Sequence, residues 1–168
     1  MNQKALEQQF LDLANIHQGI IHKVCNMYAK DEEHRKDLFQ EVLVQWWRAF
    51  PSFKGDSKFT TWGYRVAINT AVSDFRKNKR HLGHQDISEE VKRMATAPFD
   101  FERKERHHLL HTAINQLTKV EKAIIMLYME EHSYDEIANI IGITKTNVGV
   151  KINRIKAKLK KMLSPHIE

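Results

Sequence analysis

The chain of 168 residues has one cysteine, three prolines and six glycines. A single Cys25 excludes a disulfide scaffold and any multi-cysteine zinc site, and it fits a reducing cytoplasm. So little Pro and Gly leaves no room for the many turns of an all-β domain. No apolar run approaches the roughly 18 residues of a membrane span, and Met1–Leu11 lacks the basic and apolar blocks of a signal peptide. Gly-rich phosphate loops, nucleophile elbows and Cys–His pairs are also missing. These absences point to a soluble protein of the cytoplasm.

What the chain does have is positive charge and helical periodicity. Lys and Arg exceed Asp and Glu by 27 to 21, a net charge of +6 that favours an anionic partner, and 42% of residues are hydrophobic, enough for a core. Residues 1–82 hold 13 basic and 9 acidic side chains, and residues 105–168 hold 10 and 7. Residues 83–104 between them are slightly acidic, and Gly83–Pro98 is polar and aperiodic, a linker by composition. The expected architecture is all-α: helical domains at 1–82 and 105–168 joined by a flexible linker at 83–104.

In the first domain, Leu6, Phe10, Leu13, His17, Ile20, Val24 and Tyr28 recur at spacings of three and four, one stripe of a long helix. His17 reads as a histidine at the core edge. Asp31-Glu32-Glu33 reads as a turn. A second helix follows, with Phe39, Val42, Leu43, Trp46 and Phe50 inward, stopped by Pro51. Its other face carries Asp37, Gln40, Glu41, Gln45 and Arg48, by residue type alone an ordinary solvated face. After the turn-forming loop Lys54–Lys58, a third helix runs from about Thr60 to Lys79 with Tyr64, Ile68, Ala71, Val72 and Phe75 buried. Trp62, Arg65, Asn69, Ser73 and Arg76 share a different face. An aromatic ring can stack a base, guanidiniums can hold phosphates and an amide can read a base edge, although Trp62 equally suits a half-buried core position.

The C-terminal domain is more sharply marked. Thr118-x-x-Glu121 and Ser133-x-x-Glu136 are two capping boxes, each opening a helix. Gly142 closes the second as a left-handed C-cap, and Thr144 caps a third whose stripe is Val148, Ile152, Ile155, Leu159 and Met162. That order is a helix-turn-helix. Lys145 to Lys161 contains seven basic residues and no acidic one. Such a helix enters the major groove with its N-terminal residues, here Thr146 and Asn147, against base edges, while basic residues farther along hold phosphates.

Two stretches resemble a known family. Asp37-Leu38-Phe39-Gln40-Glu41, Trp46, Phe53-Lys54-Gly55, Phe59-Thr60-Thr61-Trp62, Ala67-Ile68-Asn69-Thr70-Ala71 and Asp74-Phe75-Arg76-Lys77 resemble the second conserved region of bacterial sigma factors. Leu117 to Leu159 is similar to the fourth region. With only a linker between, the order is that of the extracytoplasmic-function (ECF) subgroup, and Asn147–Ile155 resembles its Bacteroidetes-type members.

The resemblance implies an initiation factor that is not an enzyme and uses no cofactor. Asp37, Gln40 and Glu41 would dock on the β′ clamp helices of core RNA polymerase, and the fourth region on the β flap. Lys54, Lys58, Phe59, Trp62, Arg65, Asn69, Arg76, Lys77 and Arg80 would bind the melted −10 promoter element, with a base flipped out beside the loop and held without a nucleotide cofactor. Lys145, Thr146, Asn147, Lys151, Arg154 and Lys158 would bind the −35 duplex. The family further implies an anti-sigma partner, commonly membrane-anchored. Gly149, in the helix interior, would allow the backbone close to DNA.

Two other readings compete with this one: a helix-turn-helix regulator acting without polymerase, and a metal enzyme built on His107-His108-x-x-His111. The first leaves the Trp62 face unexplained. The second lacks the third protein ligand that zinc catalysis normally needs.

Overall fold

The first helix, α1 (Gln3–Tyr28), starts where the Asn2 side chain accepts the Lys4 N–H, and it ends at Ala29, whose backbone is extended. In this computed structural model the residues described are 2–79 and 101–166, with side chains for 2–74 and 105–166. The side chains of the expected Phe75, Arg76 and Lys77, all of Arg80, and the expected linker up to residue 100 lie outside those limits. The chain divides into two units, Met1–His84 and Gln85–Glu168.

In the first unit, α1 packs with α2 (Glu32–Ala49) and α3 (Phe59–Lys79), every helix touching the other two. Asp31-Glu32-Glu33, expected as a turn, instead starts α2. The Asp31 side chain caps the helix by accepting the His34 N–H at 2.7 Å, and Glu32 and Glu33 fill the first turn, where the helix dipole favours negative charge. Phe50-Pro51-Ser52 tightens into a 3-10 turn that ends α2.

The buried side chains of α1 are Phe10, Ala14, Ile20, Ile21, Val24, Cys25 and Tyr28. Leu6 and Leu13 are only half-buried, and Ala14, Ile21 and Cys25 join the core, because two neighbouring helices bury a wider stripe than one would. On α2 the inward residues are Leu38, Val42 and Trp46. The expected Phe39 and Leu43 are half-exposed, and the Phe39 ring lies 4.8 Å from the exposed His22. On α3, Tyr64, Ala67, Ile68 and Ala71 are buried and Val72 is half-buried.

In the second unit, α4 (Phe101–Asn115), α5 (Lys119–Met129) and α6 (Tyr134–Ile141) each pack on α7 (Lys145–Leu163), and α5 also packs on α6. Helix α4 begins inside the segment expected as linker. Both capping boxes form, each with its two reciprocal hydrogen bonds. Gly142 has φ +83°, the left-handed cap expected, and Thr144 caps α7 by accepting the Asn147 N–H at 3.1 Å. Val148, Ile152, Ile155 and Leu159 are buried as expected, and Met162 is half-buried.

Candidate nucleic-acid interface

The first candidate surface is built around the start of α3. The Trp62 ring is half-buried, with centroids 5.2 Å from Phe53 and from Phe59, 6.2 Å from Trp46 and 6.3 Å from Phe50. Trp46 anchors this cluster from below: it is fully buried, and its indole N–H donates to the Gly63 carbonyl at 3.0 Å. Phe59 is itself buried, stacked on His17 at 5.0 Å and edge-on to Trp46 at 5.2 Å. It therefore supports the Trp62 ring and does not offer a face of its own. His17 takes the core-edge place its position on the α1 stripe predicts.

Around this aromatic shelf the polar residues are open. Lys54, Gly55, Asp56, Ser57 and Lys58 are all exposed, and Gly55 holds the loop's turn at φ +77°. Arg65, Asn69 and Ser73 are exposed along α3 at spacings of four, continuing from Trp62 on one face. The side chains of Arg76 and Lys77, and all of Arg80, lie outside the described residues.

On α2, Asp37 and Gln40 are exposed, and Glu41 is half-buried, accepting the Gln45 amide N–H at 2.9 Å. Val44, 40% exposed, stands four residues after Gln40 and four before the exposed Arg48. Residue type gave no reason to single it out, but its place on the outward face gives this acidic patch an apolar centre.

The second candidate surface is α7. Thr146, Val150, Asn153 and Ala157, spaced 4, 3 and 4 apart, are all exposed and lie opposite the buried stripe. Asn147, Arg154, Lys160 and Lys161 are exposed beside this row, and Lys151 is half-buried next to the core stripe. Three of the lysines reach back to their own unit. Lys145 pairs with Asp135 at 3.1 Å, Lys158 with Glu121 at 2.5 Å, and Lys156 donates to the Tyr128 hydroxyl at 2.6 Å. Glu121 is partly desolvated, which pushes its carboxyl up. Lys158 and the Thr118 backbone outweigh that and hold it below the usual carboxylate range. Gly149 turns toward α6, where a Cβ would meet the Tyr134 ring at 3.6 Å. Its bare side thus faces its own unit, away from the exposed row.

His107 and His108 are exposed on α4, and His111 contacts Asn115 at 3.2 Å. Among the described residues no group of three or more His, Cys, Asp or Glu could hold a metal ion, and no helix is long and apolar enough to cross a membrane.

Residues 13–81 match the family model for sigma-70 region 2, and residues 107–159 match that for sigma-70 region 4. The chain is 29% identical to the RNA polymerase sigma-H factor of Pseudomonas aeruginosa, over 86% of this chain and 82% of that protein. It is 24% identical to the ECF RNA polymerase sigma factor SigW of Bacillus subtilis, over 95% and 91%. The chain belongs to the ECF sigma factors. As a sigma factor it binds core RNA polymerase and directs promoter-specific initiation of transcription.

Solved structures share the fold of this sigma factor. The sigma factor RpoE of Bartonella quintana, in complex with the anti-sigma factor NepR, superposes with a TM-score of 0.71 at 18% identity, over 94% of this chain and 98% of that one. CnrH, in complex with the cytosolic domain of CnrY, gives 0.67 at 21%, over 98% and 90%.

Proposed function

We propose that the two surfaces divide the work of initiation as the region matches suggest. The region 2 unit docks on the β′ clamp helices through Asp37, Gln40 and Glu41, with Val44 seated among them. It then captures the melted −10 strand against Trp62, backed by Phe59, with Asn69 reading a base or sugar-phosphate and Lys54, Lys58, Arg65, Arg76, Lys77 and Arg80 holding the backbone. The region 4 unit contacts the β flap and presents α7 to the −35 major groove, where Thr146, Asn147, Lys151 and Arg154 meet DNA. Lys145 and Lys158 reach phosphates by exchanging Asp135 and Glu121 for them. The first domain keeps the limit 1–82 and the second begins with α4 at Phe101 rather than at 105, and the tether between them makes the second DNA contact intramolecular.

The observation that carries this reading is the Trp62 shelf beside the open Lys54–Lys58 loop and the exposed Arg65–Asn69–Ser73 face. An unstacked base needs such a ring with cations nearby. The factor is non-enzymatic and cytoplasmic, and the phrase Asn147–Ile155 supports a Bacteroidetes-type placement. Two of its structural relatives were captured with protein partners, one named as an anti-sigma factor, and this chain too is held inactive by an anti-sigma protein that covers these surfaces.

Run-off transcription with purified core polymerase and a cognate promoter tests the proposal. Folded Arg154→Glu and Trp62→Ala proteins should each start few transcripts. Parental levels from both would overturn the assignment.

A further inference from the structure

We infer that Val150 and Asn153 set the base preference of the −35 contact, Asn153 reading an adenine and Val150 a thymine methyl at an adjacent step. The inference rests on the proposal that α7 enters the −35 major groove and names what it selects there.

Only side chains that point away from the core can reach the groove floor. Val148, Ile152, Ile155 and Leu159 face the core, so Val150 and Ala157 point farthest away. Thr146 and Asn153 line one side of them and the cations Arg154 and Lys161 the other, all six exposed. Thr146, Val150, Asn153 and Ala157 thus form an uncharged row, with Arg154 and Lys161 along one flank and Lys160 along the other. A helix in the major groove puts its outermost row against base edges and its flanks against the two phosphate walls. Lys145 and Lys158, tied to Asp135 and Glu121, belong to the flanks.

The chemistry of the row follows. Among the described residues the Asn153 carboxamide makes no hydrogen bond, so its donor and acceptor are both available. Together they match the N7 acceptor and N6 donor of adenine, a pair that no other base shows in the major groove. Val150 is 40% exposed on an otherwise polar, cationic surface, and it has no hydrogen-bonding group. The one apolar group in the major groove is the thymine C5-methyl. Positions 150 and 153 are neighbours on the helix surface, which matches contacts to adjacent base pairs.

The test uses holoenzyme, reconstituted from the full chain and core polymerase, on promoter fragments with a randomised −35 element. The parent should select A·T pairs at two adjacent positions, and Asn153→Ala and Val150→Ala should each relax one of them. Atom-level substitution then follows on the selected site. Uracil in place of the thymine should weaken binding by about fourfold, the effect of one buried methyl. It should have no effect on Val150→Ala. Replacing the adenine by 7-deazaadenine should cost the parent roughly tenfold and Asn153→Ala nothing. A −35 preference that both variants retain unchanged, or modified bases whose effects simply add to those of the variants, would overturn this inference alone. If the parent selects no −35 sequence at all, the groove reading of α7 fails with it.

Discussion

The Trp46 indole donates its N–H to the Gly63 carbonyl at 3.0 Å, and its ring lies where a Cβ on Gly63 would come within 3.0 Å of Cζ2. The bond and the missing side chain belong together, since a Cβ at residue 63 would crowd the ring that reaches that carbonyl. Through it, α2 fixes the start of α3, and with it the Trp62 ring that the proposed strand capture needs.

Two glycine substitutions should therefore move stability in opposite directions. Alanine in a helix interior is worth about 1 kcal/mol over glycine. At Gly149 the added Cβ makes ordinary contact with Tyr134, so Gly149→Ala should stabilise the second unit by about that amount. At Gly63 the clash with an immobile, fully buried ring should outweigh the gain, a net loss of about 1 kcal/mol or more. Thermal unfolding of the two variants checks both signs.

Trp62 serves structure and binding together, and the two roles can be separated. Trp62→Ala removes a ring that touches four others and should cost about 2 kcal/mol of stability as well as transcription. Trp62→Phe keeps an aromatic face and should retain most of both. A Phe variant that folds fully but starts no transcripts would show that the indole itself is read.

The Glu121–Lys158 pair makes the second unit sensitive to acid. Because the folded state holds Glu121 below its ordinary range, its contribution is complete above that range and is lost as pH falls through the folded value. Lys158→Met should cost about 1 kcal/mol near neutral pH and flatten the acid limb of the stability profile. Hydrogen exchange of α5 and α7 amides from pH 3 to 7 follows it.

Cys25 reports on the opening of the first unit. Burial pushes its thiol up to about 11, with Arg35 opposing and Asp74 adding to the effect. At pH 8 the folded protein should therefore resist iodoacetamide, and unfolding in urea should speed alkylation by on the order of a hundredfold or more. Fast labelling of the native chain would mean that α1 is not held in the core as described.

The sequence alone determined the all-α class, both capping boxes, the Gly142 turn and the core stripe of α7. Each of these follows from hydrogen bonds or periodicity within a few residues, and such local preferences do not depend on what packs nearby. The motif order also carried the family. Tertiary structure decided the rest. It turned Asp31–Glu33 from a turn into a helix start and exchanged Phe39 for Leu38 in the core. It sank Phe59 beneath Trp62, aimed Gly149 at Tyr134 and tied Lys145 and Lys158 to carboxylates of their own unit. It also brought Val44, Val150 and Asn153 outward, three residues whose type carries no signal. A helix has one sequence period but several neighbours, and only the direction of those neighbours says which of its faces remains for a partner.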